Sequence, residues 1–403
     1  MGGTDTKGYA MRRATVLIIV TCSIAAGGCV PTEPALEASS PVPVRAGSAC
    51  SAISLTADGC LLFGANLDFR LHTRGQLFTN KRGMHKTGLI AGTTGAYAEW
   101  VSAYASLTFN FVGYHYPWGG MNERGLVMST MAFPQTIPEP PDQRPVVDSG
   151  FWMQYLLDTC ATVDDVIASN AVVRNITVDH YLVADRTGAT AVIEYLDGEL
   201  AVHTGDDLPV SVLANWYYDD SVRLWQRYRD TGSYSWMDGS LQRFCIAADR
   251  VSGCNANTVE EGISCAFDTL EAIAGENFSE HASQWSMVFD TCALRVYFKT
   301  LAHPDLRYVD LRDFNPWCEQ PVTMLEIQQP LAGNVAPWFT EYSHSDVRDH
   351  YLWFLNAWET GLTPASVDRI LTHFESFTCE PPRRQRRLNG RRIVPIGARE
   401  STP

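Results

Sequence analysis

The chain contains no C-x-x-C pair, no H-E-x-x-H and no other spacing that gathers metal ligands, and its ten histidines are scattered without a ligand or triad pattern. Zinc-ribbon and zinc-hydrolase signatures are therefore missing, and neither a metal nor a cofactor is expected. A membrane-spanning run is missing too. The apolar stretch Ala14 to Ala26 covers about 13 residues, where a bilayer needs ~20. No internal repeat occurs. Positive charge is scarce, with 31 Lys and Arg against 45 Asp and Glu and a formal net charge of −14. Removing residues 1–49 takes away four basic and three acidic side chains and leaves −15. So acidic a body argues against a nucleic-acid partner.

The ends of the chain do not read as core. Residues 1–28 read as a signal peptide, with Met11 as an alternative start, because Arg12-Arg13 is a basic n-region and Ala14 to Ala26 an apolar h-region. Ala26-Gly27-Gly28-Cys29 resembles a bacterial lipoprotein cleavage site, which makes Cys29 a lipidation candidate and a route to membrane attachment. The equal alternative is an ordinary signal peptide with an incidental cysteine. Residues 29–49, rich in Pro, Ala, Ser and Glu, read as a tether or pro-segment. Residues 50–328 are the expected main domain, 329–378 a C-terminal helical extension, and 379–403 a basic disordered tail. The expected location is outside the cytoplasm of a bacterium, periplasmic or as an anchored lipoprotein; homo-oligomerisation is left open. Outside the leader and apart from Cys50, eight cysteines remain, an even number that permits disulfides, and Cys245, Cys254 and Cys265 are close enough in sequence to supply one.

Period-two patterning dominates the first hundred residues of the body, from the runs around Asp58-Gly59 through 103–114 to a strand over Leu126 to Phe133. Helices are expected after Asp148 or Ser149 and after Thr162, then over 220–229, 241–251 and 259–274. Meander strands lie between (180–184, 189–195, 200–203 and 210–213), with a further set over 284–290, 295–300 and 307–311. Strand blocks joined by hairpins, with helices inserted as blocks, imply two stacked antiparallel sheets flanked by helices. Residues 345–377 read as two amphipathic helices added to the end.

Cys50 is the chemically pointed residue. Asp58-Gly59 between two apolar runs is a strong hairpin signal, and folding there brings Asp68, within about a residue of register, beside Cys50. If the chain is cut before Cys50, one residue carries a thiol and a free α-amine, with a carboxylate alongside.

Six segments, in order over roughly residues 50–328, resemble the choloylglycine hydrolase and penicillin V acylase family of N-terminal-nucleophile (Ntn) hydrolases. They are CSAISLTADGCLLFGANLDF, WGGMNERGLVMSTMAFP, HYLVADRTGATAVIEYLDGE, LPVSVLANWYYDDS, SLQRF and SQWSMVFD. The resemblance implies an α+β fold, a four-layer αββα sandwich of two stacked antiparallel sheets. It implies that Cys50 is the nucleophile, Asp68 the carboxylate holding the amine, Asn215 the oxyanion-hole amide and Arg243 the late catalytic-site arginine. Two positions depart from the family pattern. Ala65 replaces an arginine before Asn66-Leu67-Asp68, and the second oxyanion position falls on Ala132, where only the backbone N–H could donate. Phe133 and Trp216 flank the two oxyanion positions and are the substrate-pocket candidates. The expected activity is hydrolysis of a small-molecule linear amide with an apolar acyl group, through a thioester. Two alternatives stand beside it: a Cys-His thiol hydrolase with His85, His115 or His180 as base, and a surface lipoprotein that keeps the fold as an inactive binding module.

Overall fold

β1 (Ser51–Ala57) and β2 (Cys60–Phe69) pair antiparallel from Ser51 opposite Asn66 to Ala57 opposite Cys60. Asp58 and Gly59 connect them with φ of 48° and 72°. A two-residue loop with both φ positive matches the right-handed twist of the flanking strands, which is why Asp-Gly serves here. The computed structural model describes residues 50–380 except 71, 89–95, 148, 177–178, 278–280 and 359–362. The leader, the tether, Cys29 and the tail beyond Glu380 lie outside the described residues.

The hairpin sits in a seven-stranded sheet, in the order Val212–Leu213, β1, β2, Ala282–Asp290, Arg295–Thr300, Arg307–Asp310 and Gly333–Asn334. A nine-stranded antiparallel sheet stacks on it, running from Glu199–Thr204 at one edge through Val127–Ala132, Pro117–Asn122 and Ser106–Asn110 to Thr340–Glu341. The facing surfaces meet through aromatic rings such as Phe109 against Phe289, edge to face at 6.1 Å. Helices α1 (Ser149–Thr159) and α2 (Val163–Ser169) belong to the core on the outer face of the larger sheet. Helices α3 (Tyr218–Tyr228), α4 (Gly239–Gly253) and α5 (Val259–Ala272) cover the hairpin side of the smaller one. The result is the αββα sandwich. Thr162 caps α2 through a reciprocal pair of bonds with Asp165.

The larger sheet's strands Gln76–Asn80, Pro117–Asn122 and Thr323–Glu326 are among those that go beyond the expected set. Pro117-Trp118-Gly119-Gly120 has poor strand propensity, yet packing decides the outcome. A Cβ on Gly120 would lie 2.8 Å from the Leu107 carbonyl of the adjacent strand, which cannot give way, and one on Gly119 would lie 2.2 Å from Met287 Cε of the other sheet, whose side chain would have to shift.

The C-terminal extension is more than two helices. Residues 333–334 and 340–341 add an edge strand to each sheet before α6 (His344–Trp358) and α7 (Pro364–Glu375). Cys318–Cys379 ties its end to the main body, beside Cys60–Cys292 and the expected local bridge, which joins Cys254 to Cys265. Cys50, Cys160 and Cys245 remain buried thiols.

α6 docks on the bend after Ser106–Asn110. Tyr351 Oη donates to the Tyr114 carbonyl at 2.7 Å, and Phe354 meets Phe111 edge to face at 5.1 Å. Gly113, at φ 155°, lies so close that a Cβ there would be 2.3 Å from the Tyr351 ring. Gly113→Ala should therefore destabilise the protein by ~2 kcal/mol, in the usual range for overpacking. Urea titration checks this, and Tyr351→Ala in the same chain should recover part of the loss.

Candidate active site

Strand alternation divides the chemistry of the hairpin between two faces. Even-numbered residues of β2 face the helices: Asn66 Nδ2 donates to the Leu270 carbonyl of α5 at 2.8 Å. Asp68 lies on that side. Cys50, one residue before β1, falls on the opposite side from Ser51, toward the other sheet, where the Trp118 indole and the Asp68 backbone N–H both favour its thiolate. Thiol and carboxylate therefore belong to opposite faces of one hairpin.

Arg243 gathers the site. It projects from α4 on the buried Ser240, Arg243, Phe244, Ala247 stripe and is 2% exposed. One terminal nitrogen donates to the Cys50 carbonyl and to Ser51 Oγ, both at 2.6 Å, and lies 3.8 Å from Asp68 Oδ2. The other donates to Asn215 Oδ1 at 3.1 Å. An arginine that helix position alone would leave as a surface ion-pair partner is in fact the node joining Cys50, Asp68 and Asn215. Asn215 follows the short strand Val212–Leu213 that pairs with β1, and its amide donates to the Ala132 carbonyl at 2.8 Å. Ala132 and Asn215 are thus neighbours. An amide NH₂ has two donors, so one remains beyond the Ala132 bond.

Asp68 is fully buried. Ser283 Oγ donates to its Oδ1, while Oδ2 has no hydrogen-bond partner among the described residues. Burial pushes this carboxyl up to about 7 against the pull of Arg243, Ser283 and the Gly275 backbone N–H. Burial, followed by the Asp68 charge, pushes the Cys50 thiol up to about 12, and burial lowers the Arg243 guanidinium.

Ser283 and Gly275 are contributors that the residue pattern did not single out. Ser283 pairs directly across from Asp68, so the register of the SQWSMVFD strand was the available signal. A Cβ on Gly275 would come within 2.9 Å of Asp68 Cβ and Cγ. Phe133 is wholly buried, stacked on His180 at 4.5 Å and 8° and edge-on to Tyr217. Trp216 is half-buried and edge-on to Tyr217. Ala65 is buried in β2 opposite Ala52 and Met287. Of the three histidines weighed as bases, His115 lies in an aromatic cluster with Phe151, Phe374 and Phe377, His180 bonds Glu194, and His85 lies in the Met84–Thr87 strand. None is among the groups acting on the Cys50 thiol.

A cysteine at the start of a strand, facing the sheet–sheet interface of an αββα sandwich, defines the class: the fold is that of the Ntn hydrolases. The chain belongs to the choloylglycine hydrolase family of linear amide C–N hydrolases, whose sequence profile matches residues 50–253. It is a hydrolase of non-peptide carbon–nitrogen bonds by that membership. Penicillin V acylase of Pectobacterium atrosepticum is 24% identical over 270 residues, 56% of this chain and 71% of that protein. In structure the chain is similar to penicillin V acylase from Agrobacterium tumefaciens, with TM-score 0.63, 20% identity and 73% and 98% of the two chains covered. It is also similar to a variant of conjugated bile acid hydrolase from Clostridium perfringens, with TM-score 0.56, 16% identity and 69% and 97% covered.

While Cys50 stays peptide-bonded to Ala49, its thiol should be a slow nucleophile. Alkylation by iodoacetamide should rise about tenfold per pH unit up to at least about pH 10. A rate that levels off near pH 8.5 would contradict the burial argument.

Proposed function

We propose that the mature protein is an N-terminal-cysteine amidohydrolase acting on a small-molecule linear amide with an apolar acyl group. The observation that carries this reading is the convergence on Arg243 of the Cys50 carbonyl, Asp68 and Asn215, with Asp68 Oδ2 a buried acceptor that has no hydrogen-bond partner among the described residues. Cleavage before Cys50 turns its backbone nitrogen into an amine with a pKa of about 7.7–8.0. That amine takes the thiol proton, directly or through water, and the thiolate attacks the amide carbon. Asp68 Oδ2 holds the amine when it is protonated. The free N–H of Asn215, with the Ala132 N–H as second donor, stabilises the tetrahedral oxyanion. The ammonium returns its proton to the leaving nitrogen, and water then hydrolyses the thioester.

Support for an apolar acyl group comes from the thiol's surroundings, Trp118 and, edge-on to it at 6.3 Å, Trp285. Bile-salt conjugates, penicillin V and N-acyl-homoserine lactones fit that description. The three disulfides among the described residues agree with export to an oxidising compartment, and the cut before Cys50 would release the enzyme from any lipid anchor at Cys29. The competing reading, an inactive binding module, draws on Ala132, which has no side-chain donor.

Intact mass of the active protein should place its first residue at Cys50, and an active preparation still carrying residue 49 would sink the mechanism. Cys50→Ser should fold and lose thioester chemistry. Asn215→Ala should lower kcat by roughly 10²–10³ with Cys50 still alkylated. A pure binding module would show no turnover in the correctly cut wild type and nothing for Asn215→Ala to remove.

A further inference from the structure

Glu194 is a buried carboxylate that no step above employs. It lies in the strand Thr190–Leu196 and is 1% exposed. Burial pushes the carboxyl up, but His180 and His203 more than offset this and leave it below its usual range. His180 Nδ1 lies 3.2 Å from Oε1 and His203 Nε2 lies 3.3 Å from Oε2. The Tyr218 backbone N–H reaches both oxygens, at 3.3 and 3.4 Å.

Each of these contacts leads to the oxyanion site. Tyr218 is the first residue of α3, three after Asn215, and the helix has no side-chain cap of its own at Tyr217. Glu194, reaching from the larger sheet, supplies the anion that an uncapped helix N-terminus favours. His203 Nδ1 adds Asp219 of the same first turn at 3.5 Å. On the other side, His180 stacks on Phe133, which immediately follows Ala132. The Ala132 carbonyl in turn holds the Asn215 amide. One carboxylate therefore anchors both segments whose meeting forms the oxyanion site. A charged group buried this deeply is weak as a stabilising device and better suited to fixing geometry.

We infer that Glu194, braced by His180 and His203, is a positioning residue that sets the distance between Asn215 and Ala132. The inference rests on the oxyanion role proposed above for those two positions. A displacement of about 1 Å at such a donor costs on the order of 10²-fold in rate.

The test uses the correctly cut enzyme and a peptide-free aldehyde with an apolar chain, which adds to Cys50 as a tetrahedral thiohemiacetal. The sulfur–carbon bond forms as the carbonyl π bond breaks, and the oxygen, carrying the charge or the thiol's proton, lies in the oxyanion site. Glu194→Ala should weaken aldehyde binding and lower kcat by a similar factor, about 10²-fold, with KM little changed. Iodoacetamide alkylation of Cys50, which builds no oxyanion, should stay within about twofold, and Glu194→Gln, which keeps an acceptor for Tyr218, should recover part of the loss. In an Asn215→Ala background the Glu194 substitution should add almost nothing, as expected of a residue that acts through Asn215.

Unchanged aldehyde affinity in Glu194→Ala overturns the inference. So do losses that add fully to those of Asn215→Ala, or a parallel loss of alkylation, aldehyde binding and thermal stability. The wild type judges the underlying function separately. A cut wild type that binds the aldehyde but hydrolyses no amide refutes the proposed activity, while the Glu194 comparison still stands or falls on the adduct.

Discussion

A buried guanidinium holds this site together. Arg243 makes its contacts from a planar fork in which one terminal nitrogen serves the Cys50 carbonyl and Ser51 and the other serves Asn215. A lysine, a single point charge on a flexible stem, could not hold two separate backbone segments in one plane. The arrangement is also costly to break. Removing one member of a buried ion pair leaves the other charge uncompensated, typically a loss of about 3–5 kcal/mol. Helix α4, the β1–β2 hairpin and the Asn215 segment are thereby coupled, so all three are positioned together.

The division of the hairpin into two faces narrows the chemistry. Because thiol and carboxylate project to opposite sides, Asp68 is poorly placed to take the thiol's proton. Under the proposed mechanism this is why an α-amine, and not a side-chain base, has to act. It also accounts for the tension in the uncut chain, where the thiol is pushed up to about 12 and the carboxyl to about 7 with one oxygen unbonded. A cation between them would lower both. Under the proposed mechanism, the cut before Cys50 would supply that cation.

Some of this could be read from residues alone. Asp58-Gly59 fixed the register that puts Asp68 one position from the residue opposite Cys50, because turn type and strand period leave few alternatives. Period and caps placed the helices to within a few residues. Arg243 was legible only through resemblance, because in sequence it is a charged residue beside Phe244 and nothing local shows that the stripe it joins is buried. Ser283 and Gly275 depend on a register between strands more than two hundred residues apart and on a close approach that only the assembled layers create. Pro117 to Gly120 carried no strand signal for the complementary reason. Low intrinsic strand preference was overridden by close packing against the adjacent strand and the facing sheet, at Gly120 against the Leu107 carbonyl.

The two departures from the family pattern take on different weights in this setting. Ala65 is buried in β2 between Ala52 and Met287, so an arginine there would need both a partner and space that these neighbours do not provide. Its absence removes a charge from the sheet–sheet side without disturbing the Arg243 node, which lies on the helical side. Under the proposed mechanism Ala132 matters more directly, because it would leave one oxyanion donor to the backbone. A backbone donor cannot adjust by rotating a side chain; its position is only as good as that of the strand carrying it. That strand ends at Ala132, and the next residue, Phe133, is held by the buried stack on His180. Loss of a side-chain donor at this position therefore raises the importance of the packing and charge beneath it.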